Sequence, residues 1–494
     1  MSVGCTLGHS SWLVVSRRSS LTHGMLMFFR SHPLVLLCVV VVLACKGPVG
    51  ESEATSSTAS EGDTSSTEVG TTGGTSTGST AAETDSTGTT AGGDPSVTYF
   101  RDVKTILDRR CANCHRDGDI APFALGNYEQ ASMWGPILLP EIEDRTMPPW
   151  GPDSACNTYV HDPSLTDLEI GMIAEWIEIG MPEGDPEDEP PPVDPPPPIG
   201  YDIELSGVPY LPTVYPDEYR CFLLDWPAVS DRYVTAMNIV PGERSIVHHV
   251  IAYVIPAAEV DTYTALDEAD PLPGYECFGG PGGEVVPRAE WLGAWAPGTA
   301  GGALPEGTGI RVEPGSKIAV QIHYHPVAGA EADLSVVQLQ TEAMVEHPAY
   351  LLPLANPLWM LGIVQMSIPA GDDDVRHTFE VDLPSAIDYL HKNAEFGLDE
   401  PVLLSMAGLH MHQLGTWARL SVKSGDDEQC LVDVPRWDFN WQGIYELQKA
   451  LIVEPSDSIF LECHFNNEAG EGTVAWGDGT EDEMCLGIVY VSAL

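Results

Sequence analysis

The sequence predicts a multidomain protein in which a small helical unit precedes a larger part built from short strands. Three observations carry this expectation. Two segments of biased composition, Glu51 to about Asp94 and Pro182 to Pro198, divide the chain. Between them, apolar residues recur at helical spacing beside recognisable start and stop signals. Beyond the second break, strand-like alternation is interrupted by many Gly and Pro turns, and no short internal repeat is present. The length of 494 residues exceeds one ordinary core, and 43% hydrophobic residues exclude disorder of the whole chain.

The elements follow in order. Leu34 to Ala44 is apolar except for Cys38 and follows Arg30 and His32. It is too short to span a bilayer and fits the hydrophobic region of a signal peptide, with Met25 or Met27 as alternative starts. The run ends Val42-Leu43-Ala44-Cys45, which resembles a bacterial lipobox with Cys45 as the acylated first residue of the mature protein. A plain signal peptide with an incidental cysteine is the alternative. Lys46, where an Asp would favour inner-membrane retention, points to an outer-membrane anchor. The expectation is thus a lipid-anchored protein of the bacterial cell envelope, with a signal peptide over 1–45 and a flexible Ser/Thr/Gly-rich tether over 46–96. Such a tether cannot bury enough apolar surface to offset its ordering entropy. Against 73 acidic residues there are 22 basic ones, for a formal charge of −51. A nucleic-acid partner is excluded, since phosphate binding needs a basic footprint; the charge reads as a solvated surface.

In the helical unit, 97–183, Thr98 is placed to cap a helix carrying Phe100, Val103, Ile106 and Leu107 toward Cys111. Thr166 and Glu169 form a capping box, Leu168, Met172, Trp176 and Ile179 an apolar stripe, and Gly180 a stop. The linker over 184–199 reads as an extended, stiff spacer. Cys111-Ala-Asn-Cys114-His115 is a CxxCH motif. That spacing lets two thiols attach one porphyrin while the adjacent imidazole ligates its iron. A redox disulfide or half a zinc site uses the same residues. However, no second CxxC completes four zinc ligands, no thioredoxin-like βαβ pattern surrounds it, and the chain is exported. The unit resembles the cytochrome c family, with Thr146-Met147-Pro148-Pro149-Trp150 similar to its distal-ligand loop. The resemblance implies a small all-α haem domain with a c-type haem on Cys111, Cys114 and His115. Met147 is then the sixth ligand, with Met133, Met172 and His161 as alternatives.

From residue 200 on, six histidines form three close pairs: His248-His249, His323-Tyr-His325 and His410-Met-His412. Residues i and i+2 of a strand share a face, so His410 and His412 can close on one metal. Ile318, Val320, Ile322 and Tyr324 alternate with Ala319, Gln321, His323 and His325, which puts the latter on the polar face. Adjacent His248 and His249 would point to opposite faces of a regular strand, so the chain must twist or bulge there if both are to meet one ion.

Ser245 to Val254, Ala294 to Pro326, Ala407 to Thr416 and Asp482 to Cys485 resemble, in order, the motifs of the copper type II, ascorbate-dependent monooxygenases. That family includes peptidylglycine α-hydroxylating monooxygenase and dopamine β-hydroxylase, and the resemblance spans about residues 200 to 494. It implies two antiparallel, jelly-roll-like sandwich domains, over 200–345 and 346–494. One copper would sit on His248, His249 and His323; a second, hydroxylating copper would sit on His410, His412 and Met484. A thioether beside two imidazoles suits copper better than zinc or magnesium. Without the resemblance, Met484 reads as a core strand residue. Gln321 matches a residue near the hydroxylating centre and is a candidate for substrate positioning. Cys463 with Cys485, and Cys221 with Cys277, resemble family bridges, which leaves Cys156 and Cys430 unassigned.

The chain departs from the peptide-amidating members. Their substrate carboxylate is held by an arginine, an asparagine and a tyrosine at positions occupied here by Gly408, Leu486 and Ile488. A peptide carboxylate is therefore a poor substrate, and a more apolar pocket is expected. His325 is an addition, read as a surface histidine or, alternatively, a spare ligand or proton donor. The resemblance implies hydroxylation of a C–H bond of a small organic substrate with O2. Electrons would come from ascorbate or a periplasmic donor, with the fused haem as the expected relay. A non-catalytic, exported copper-binding or electron-transfer protein is the alternative. A zinc hydrolase has less to recommend it, since no His-Glu-x-x-His helix or nucleophile elbow is present.

Overall fold

A computed structural model describes residues 95–112, 114–115, 121–191, 199–277, 280–282, 289–295, 301–391, 395–397, 399–477, 479 and 481–494. The signal peptide, nearly all of the tether and Cys45 lie outside the described residues. A π-helical turn, Tyr99–Val103, leads into α1 (Lys104–Arg110), followed by α2 (Tyr128–Glu143) and α3 (Asp167–Glu178). The start of α3 is the Thr166 capping box: Thr166 Oγ1 accepts from Glu169 N at 3.2 Å, and Glu169 Oε2 accepts from Thr166 N at 2.8 Å. Gly180, at φ +93°, ends it in the left-handed region that a side chain disfavours. The buried face differs from the expected stripe. Leu168 and Ile179 are exposed, and Ile173 joins Trp176 inside, because their partners Val97, Tyr99, Val103 and Ile106 lie on that side. Thr98 makes no side-chain cap; Asp102 instead accepts a hydrogen bond from its backbone N–H at 2.8 Å.

The strand-rich part begins with β1 (Ile203–Ser206), β2 (Glu218–Asp225), β3 (Arg232–Val240) and β4 (Val247–Ile255), then α4 (Val260–Ala269) and β5 (Tyr275–Glu276). It continues with β6 (Glu290–Trp295), β7 (Gly302–Ala303), β8 (Thr308–Val312), β9 (Lys317–Tyr324), β10 (Val336–Glu342) and β11 (His347–Leu354). After α5 (Pro357–Met360), β12 (Val375–Asp382) and α6 (Leu383–Leu390) come β13 (Val402–His410) and β14 (Gly415–Ser424). The remaining strands are β15 (Asp427–Val434), β16 (Ile444–Val453), β17 (Ser458–Phe465) and β18 (Leu486–Ala493). One sheet runs β1-β10-β3-β8-β11-β6-β4-β9-β2-β5 and branches at β11 into β18, β13 and β16; a second is ordered β12-β17-β14-β15.

The long sheet folds over on itself: Ile310 and Leu339 from one limb share a core with Val250 and Ile322 from the other. The four-stranded sheet closes a second core, with Leu420 and Leu461 against Leu404 and Val489. β17 is buried at every second residue, as expected of a strand with one face on a core.

The expected succession of a small all-α cytochrome c-like domain and two separate sandwich domains is overturned. Strand far outweighs helix in the described chain, and no separate helical domain closes among its described residues: Thr90–Leu494 forms one compact unit. Between α2 and α3 the chain runs onto the strand-rich part. Asp153 N donates to Asp433 O at 2.8 Å, Val160 N donates to Glu446 O at 2.8 Å, and Tyr159 bridges to Leu447. Tyr159 is buried in the core of the second half, and Cys156 is disulfide-bonded to Cys430. The two strand-rich halves likewise share β11, which pairs with β6 and β8 of the first half and with β18 of the second. These contacts join residues tens to hundreds of positions apart, so helix and strand periodicity, which are local, carry no trace of them. The two bridges implied by the resemblance, Cys221–Cys277 and Cys463–Cys485, are present.

Candidate metal centres

His248 and His249 lie on β4 and His323 on the neighbouring β9, where His249 and His323 are register partners. The β4–β9 ladder slips between Val247 and His249. This bulge brings two adjacent side chains, which a regular strand would separate, to one place. His249 Nδ1 is 3.2 Å from His248 Nδ1 and 3.4 Å from His323 Nδ1, and ligand atoms of all three imidazoles lie within 4.8 Å of one another. Asp217 Oδ1 is 3.0 Å from His323 Nε2, which leaves Nδ1 of that ring directed at its two neighbours. Tyr219 stacks on the same ring, with centroids 4.2 Å apart and planes 9° from parallel.

Loss of solvation disfavours the imidazolium form throughout. His323 is lowered to about 4, and His249 falls well below the ordinary histidine value with His323 and His248 adding to the effect. Neutral nitrogens with available lone pairs are what a metal ion requires. His325 lies beyond β9, largely exposed, with its Nδ1 3.2 Å from the same Asp217 oxygen; it stands outside the cluster.

The second group forms at the end of β13. His410 and His412 have ring centroids 5.1 Å apart at 83°. His410 Nδ1 lies 2.6 Å from Gln442 Oε1, and His412 Nδ1 lies 3.0 Å from Asp482 O. Each contact orients its ring and leaves Nε2 as the potential ligand. Burial, with help from His412, lowers His410 to about 3. Glu483 is fully buried and accepts from the backbone N–H groups of His412 (2.9 Å), Leu414 and Met484 (3.3 Å). One carboxylate thus ties the His410–His412 segment to the Met484 segment. Its burial raises it to about 7, against the lowering effect of those N–H donors. Met484 and both imidazoles line one cavity, while the next residue, Cys485, is buried in its bridge to Cys463.

Phe439 connects the two groups. Its ring stacks on His248 at 5.6 Å and lies 5.9 Å from His412. Both groups open into a cavity of about 1020 Å³ that extends to Cys111, Cys114, His115 and Met147. At that end, His115 Nδ1 is 3.1 Å from Phe123 O, which leaves Nε2 available, and Leu107, Leu125, Leu138, Ile142 and Ile173 supply apolar walls. Gln321 lines the same cavity. Both its amide hydrogens are engaged, by Cys277 O at 2.6 Å and Gly280 O at 3.0 Å, so it presents its Oε1 side to Tyr253.

Residues 392–492 match the model of the copper type II ascorbate-dependent monooxygenase C-terminal domain. Over 300 residues the chain is 22% identical to DBH-like monooxygenase protein 2 of Mus musculus, covering 58% of this chain and 45% of that protein. DBH-like monooxygenase protein 1 of Gallus gallus is 23% identical over 301 residues, 58% of this chain and 46% of its own. Dopamine beta-hydroxylase of Canis lupus familiaris is 24% identical over 210 residues, 40% and 31% of the respective chains. These matches support the copper type II ascorbate-dependent monooxygenase family. The chain's match spans less than half the length of each relative. Among solved structures, the infectious bursal disease virus VP2 subviral particle aligns over 61% of this chain and 74% of that one. With 10% identity and a TM-score of 0.16, it has no bearing on fold or function.

The segment that matches the copper type II ascorbate-dependent monooxygenase model contains His410, His412 and Met484; His248, His249 and His323 lie ahead of it. No motif in the sequence marks Asp217, Tyr219, Gln442 or Phe439. They stand on a loop or strand without a motif and reach the imidazoles only through sheet pairing and chain return. Glu483 had a visible signal, an acidic residue between a motif Asp and a methionine in a strand-like context, which burial turns into a backbone anchor.

Proposed function

We propose that this chain is an exported copper monooxygenase that hydroxylates a C–H bond of an organic substrate with O2 and an external reductant, either ascorbate or a periplasmic donor. One observation carries the reading: two separate sets of imidazoles, each wholly or partly buried and one of them accompanied by Met484, open into a single cavity. The donor chemistry fits copper, since a three-imidazole set and an imidazole–thioether set both suit it. His248, His249 and His323 would hold one ion, and His410, His412 and Met484 the other. Bound copper supplies one-electron storage and the reduction of O2. The protein's own part is to keep these nitrogens deprotonated by burial, to aim them through Asp217, Gln442 and the Asp482 carbonyl, and to enclose the substrate.

The reading extends to a c-type haem on Cys111, Cys114 and His115, with Met147 as sixth ligand. It rests on the motif and the apolar pocket around it rather than on a separate domain. A bound haem supplies a one-electron carrier. The helical segment that would hold it is fastened to the strand-rich part by Cys156–Cys430 and by the Tyr159 bridge, so its four candidate residues share the cavity with both histidine groups. Acylation at Cys45 and an outer-membrane location complete the proposal, on the strength of the lipobox-like sequence.

The test is copper stoichiometry of the complete mature chain, alongside His248→Ala and His410→Ala. Two coppers in the parent and one in each variant are expected. One copper or none in the parent would refute the two-centre reading. O2 consumption that never responds to any organic substrate would instead favour a copper-binding or electron-transfer protein.

A further inference from the structure

The geometry points to an uncharged, apolar substrate with an aliphatic chain, entering over an exposed apolar rim formed by α5 and α6; this rests on the monooxygenase reading of the same cavity. The wall around His410 comes first. In the β13–β18 ladder His410 is paired with Leu486 and Gly408 with Ile488, so the two residues facing this end of β13 are aliphatic. Gly408 has no room for a side chain: a Cβ there would meet Gly443 O at 2.8 Å and the Ile444 side chain at 3.1 Å. No cation can stand at that position without moving the β16 backbone. Met406, Leu409, Phe439 and Trp441 continue the wall.

Charged side chains are few elsewhere in the described lining of the cavity. Among the described lining residues, Arg110 is the one basic side chain besides the imidazoles. It lies at the Cys111 end, where it donates to Asp162 O at 2.8 Å and pairs with Glu169. Glu290, the acidic lining residue, is 3.4 Å from His391 Nδ1. A substrate carboxylate or ammonium would therefore be desolvated beside Leu486 and Ile488, where the described wall residues Met406, Leu409, Phe439 and Trp441 carry no charge, a heavy penalty, whereas an alkyl chain gains by leaving water.

The cavity is continuous with an apolar surface. Met360, Leu361 and Tyr389 both line it and stand exposed, at 54%, 46% and 49%. Leu358, Ile363 and Val364 extend the exposed strip beside them. Apolar residues clustered at the mouth of an apolar cavity are suited to receive a molecule that itself avoids water.

The experiment uses the complete, copper-loaded chain, reduced and under anaerobic conditions, with its copper content measured on the same sample. Trp291, Trp295, Trp441 and Trp476 line the cavity, so a bromine-bearing ligand inside it quenches tryptophan emission. 12-Bromododecan-1-ol is expected to quench saturably and to be displaced by dodecan-1-ol. 12-Bromododecanoate and 12-bromododecylammonium should bind at least ~10-fold more weakly at pH 8. Leu361→Asp, at an exposed position that leaves the cores untouched, is expected to weaken or slow binding of the alcohol several-fold.

Equal or tighter binding of the carboxylate, or no saturable quenching by the alcohol in a sample holding two coppers, would overturn the substrate class. Unchanged binding in Leu361→Asp would overturn the entry route. Saturable binding of the alcohol in a sample without two coppers upholds the cavity's preference and removes the monooxygenase reading instead.

Discussion

Replacing Asp217 by Ala should weaken one copper centre and spare the other. Its Oδ1 lies 3.0 Å from Nε2 of His323, a ring that is only 2% exposed, and Tyr219 fixes the plane of that ring from one face. The carboxylate decides which nitrogen of His323 is held and which is presented to His248 and His249. Partners of this kind are worth about 10- to 100-fold in metal affinity, or about 1.4 to 2.7 kcal/mol. Asp217→Asn keeps an acceptor in place but removes the charge. Because the Asp217 side chain is 18% exposed, part of that charge is screened, so the Asn variant should fall at the low end of the range. Anaerobic competition with a chromophoric Cu(I) chelator resolves the two sites. One should lose affinity in the order wild type, Asn, Ala, while the site at His410 and His412 is unchanged, since its orienting partners are Gln442 and the Asp482 carbonyl. Equal weakening of both sites, or of neither, would refute the assignment of Asp217 as an orienting residue.

Further outcomes follow from the same geometry. Gln442→Ala removes the acceptor 2.6 Å from His410 Nδ1 and should lower affinity at the other site by about 10-fold or more, read in the same titration. In metal-free protein, His323 and His410 take up protons only near 4 and 3, whereas their unfolded counterparts do so near 6.5. The unfolded chain therefore binds more protons in that window, and the melting temperature of the metal-free protein should fall as pH drops from about 6.5 toward 4. The double variant Cys156→Ser, Cys430→Ser should lose about 2 to 5 kcal/mol of stability in denaturant unfolding; unchanged stability would show that the hydrogen bonds of residues 153–160 hold the segment alone. Gly408→Ala should destabilise by about 1 to 3 kcal/mol through its clash with Gly443 O, and a neutral result would mean that β16 yields easily.

Much of the candidate site was legible because its chemistry is concentrated in short motifs. Paired histidines, a CxxCH and a methionine beside a cysteine are local signals, and the capping box at Thr166 was equally plain. The alternation around His323 separated Ile318, Val320, Ile322 and Tyr324, which share one hydrophobic cluster, from the side carrying Ala319, Gln321 and His323; that second side is buried as well, with Ala319 in another cluster. Even the bulge at His248 was implied, since two adjacent residues cannot share a face of a regular strand. The α3 stripe failed because Leu168 and Ile173 are both apolar, and only the position of Tyr99 and its neighbours decides which one is buried.

By itself, then, the sequence determined the residue types available for chemistry, the periodicity of each strand and helix, and the presence of a glycine rather than a cation at position 408. Tertiary structure alone decided that the helical segment is no separate domain, that Cys156 meets Cys430, and that Asp217, Gln442 and Phe439 stand against the imidazoles. The physical reason is range. Periodicity and capping act over a few residues, whereas sheet pairing through β11 and burial of Tyr159 in a distant core are chosen by the packing of the whole chain.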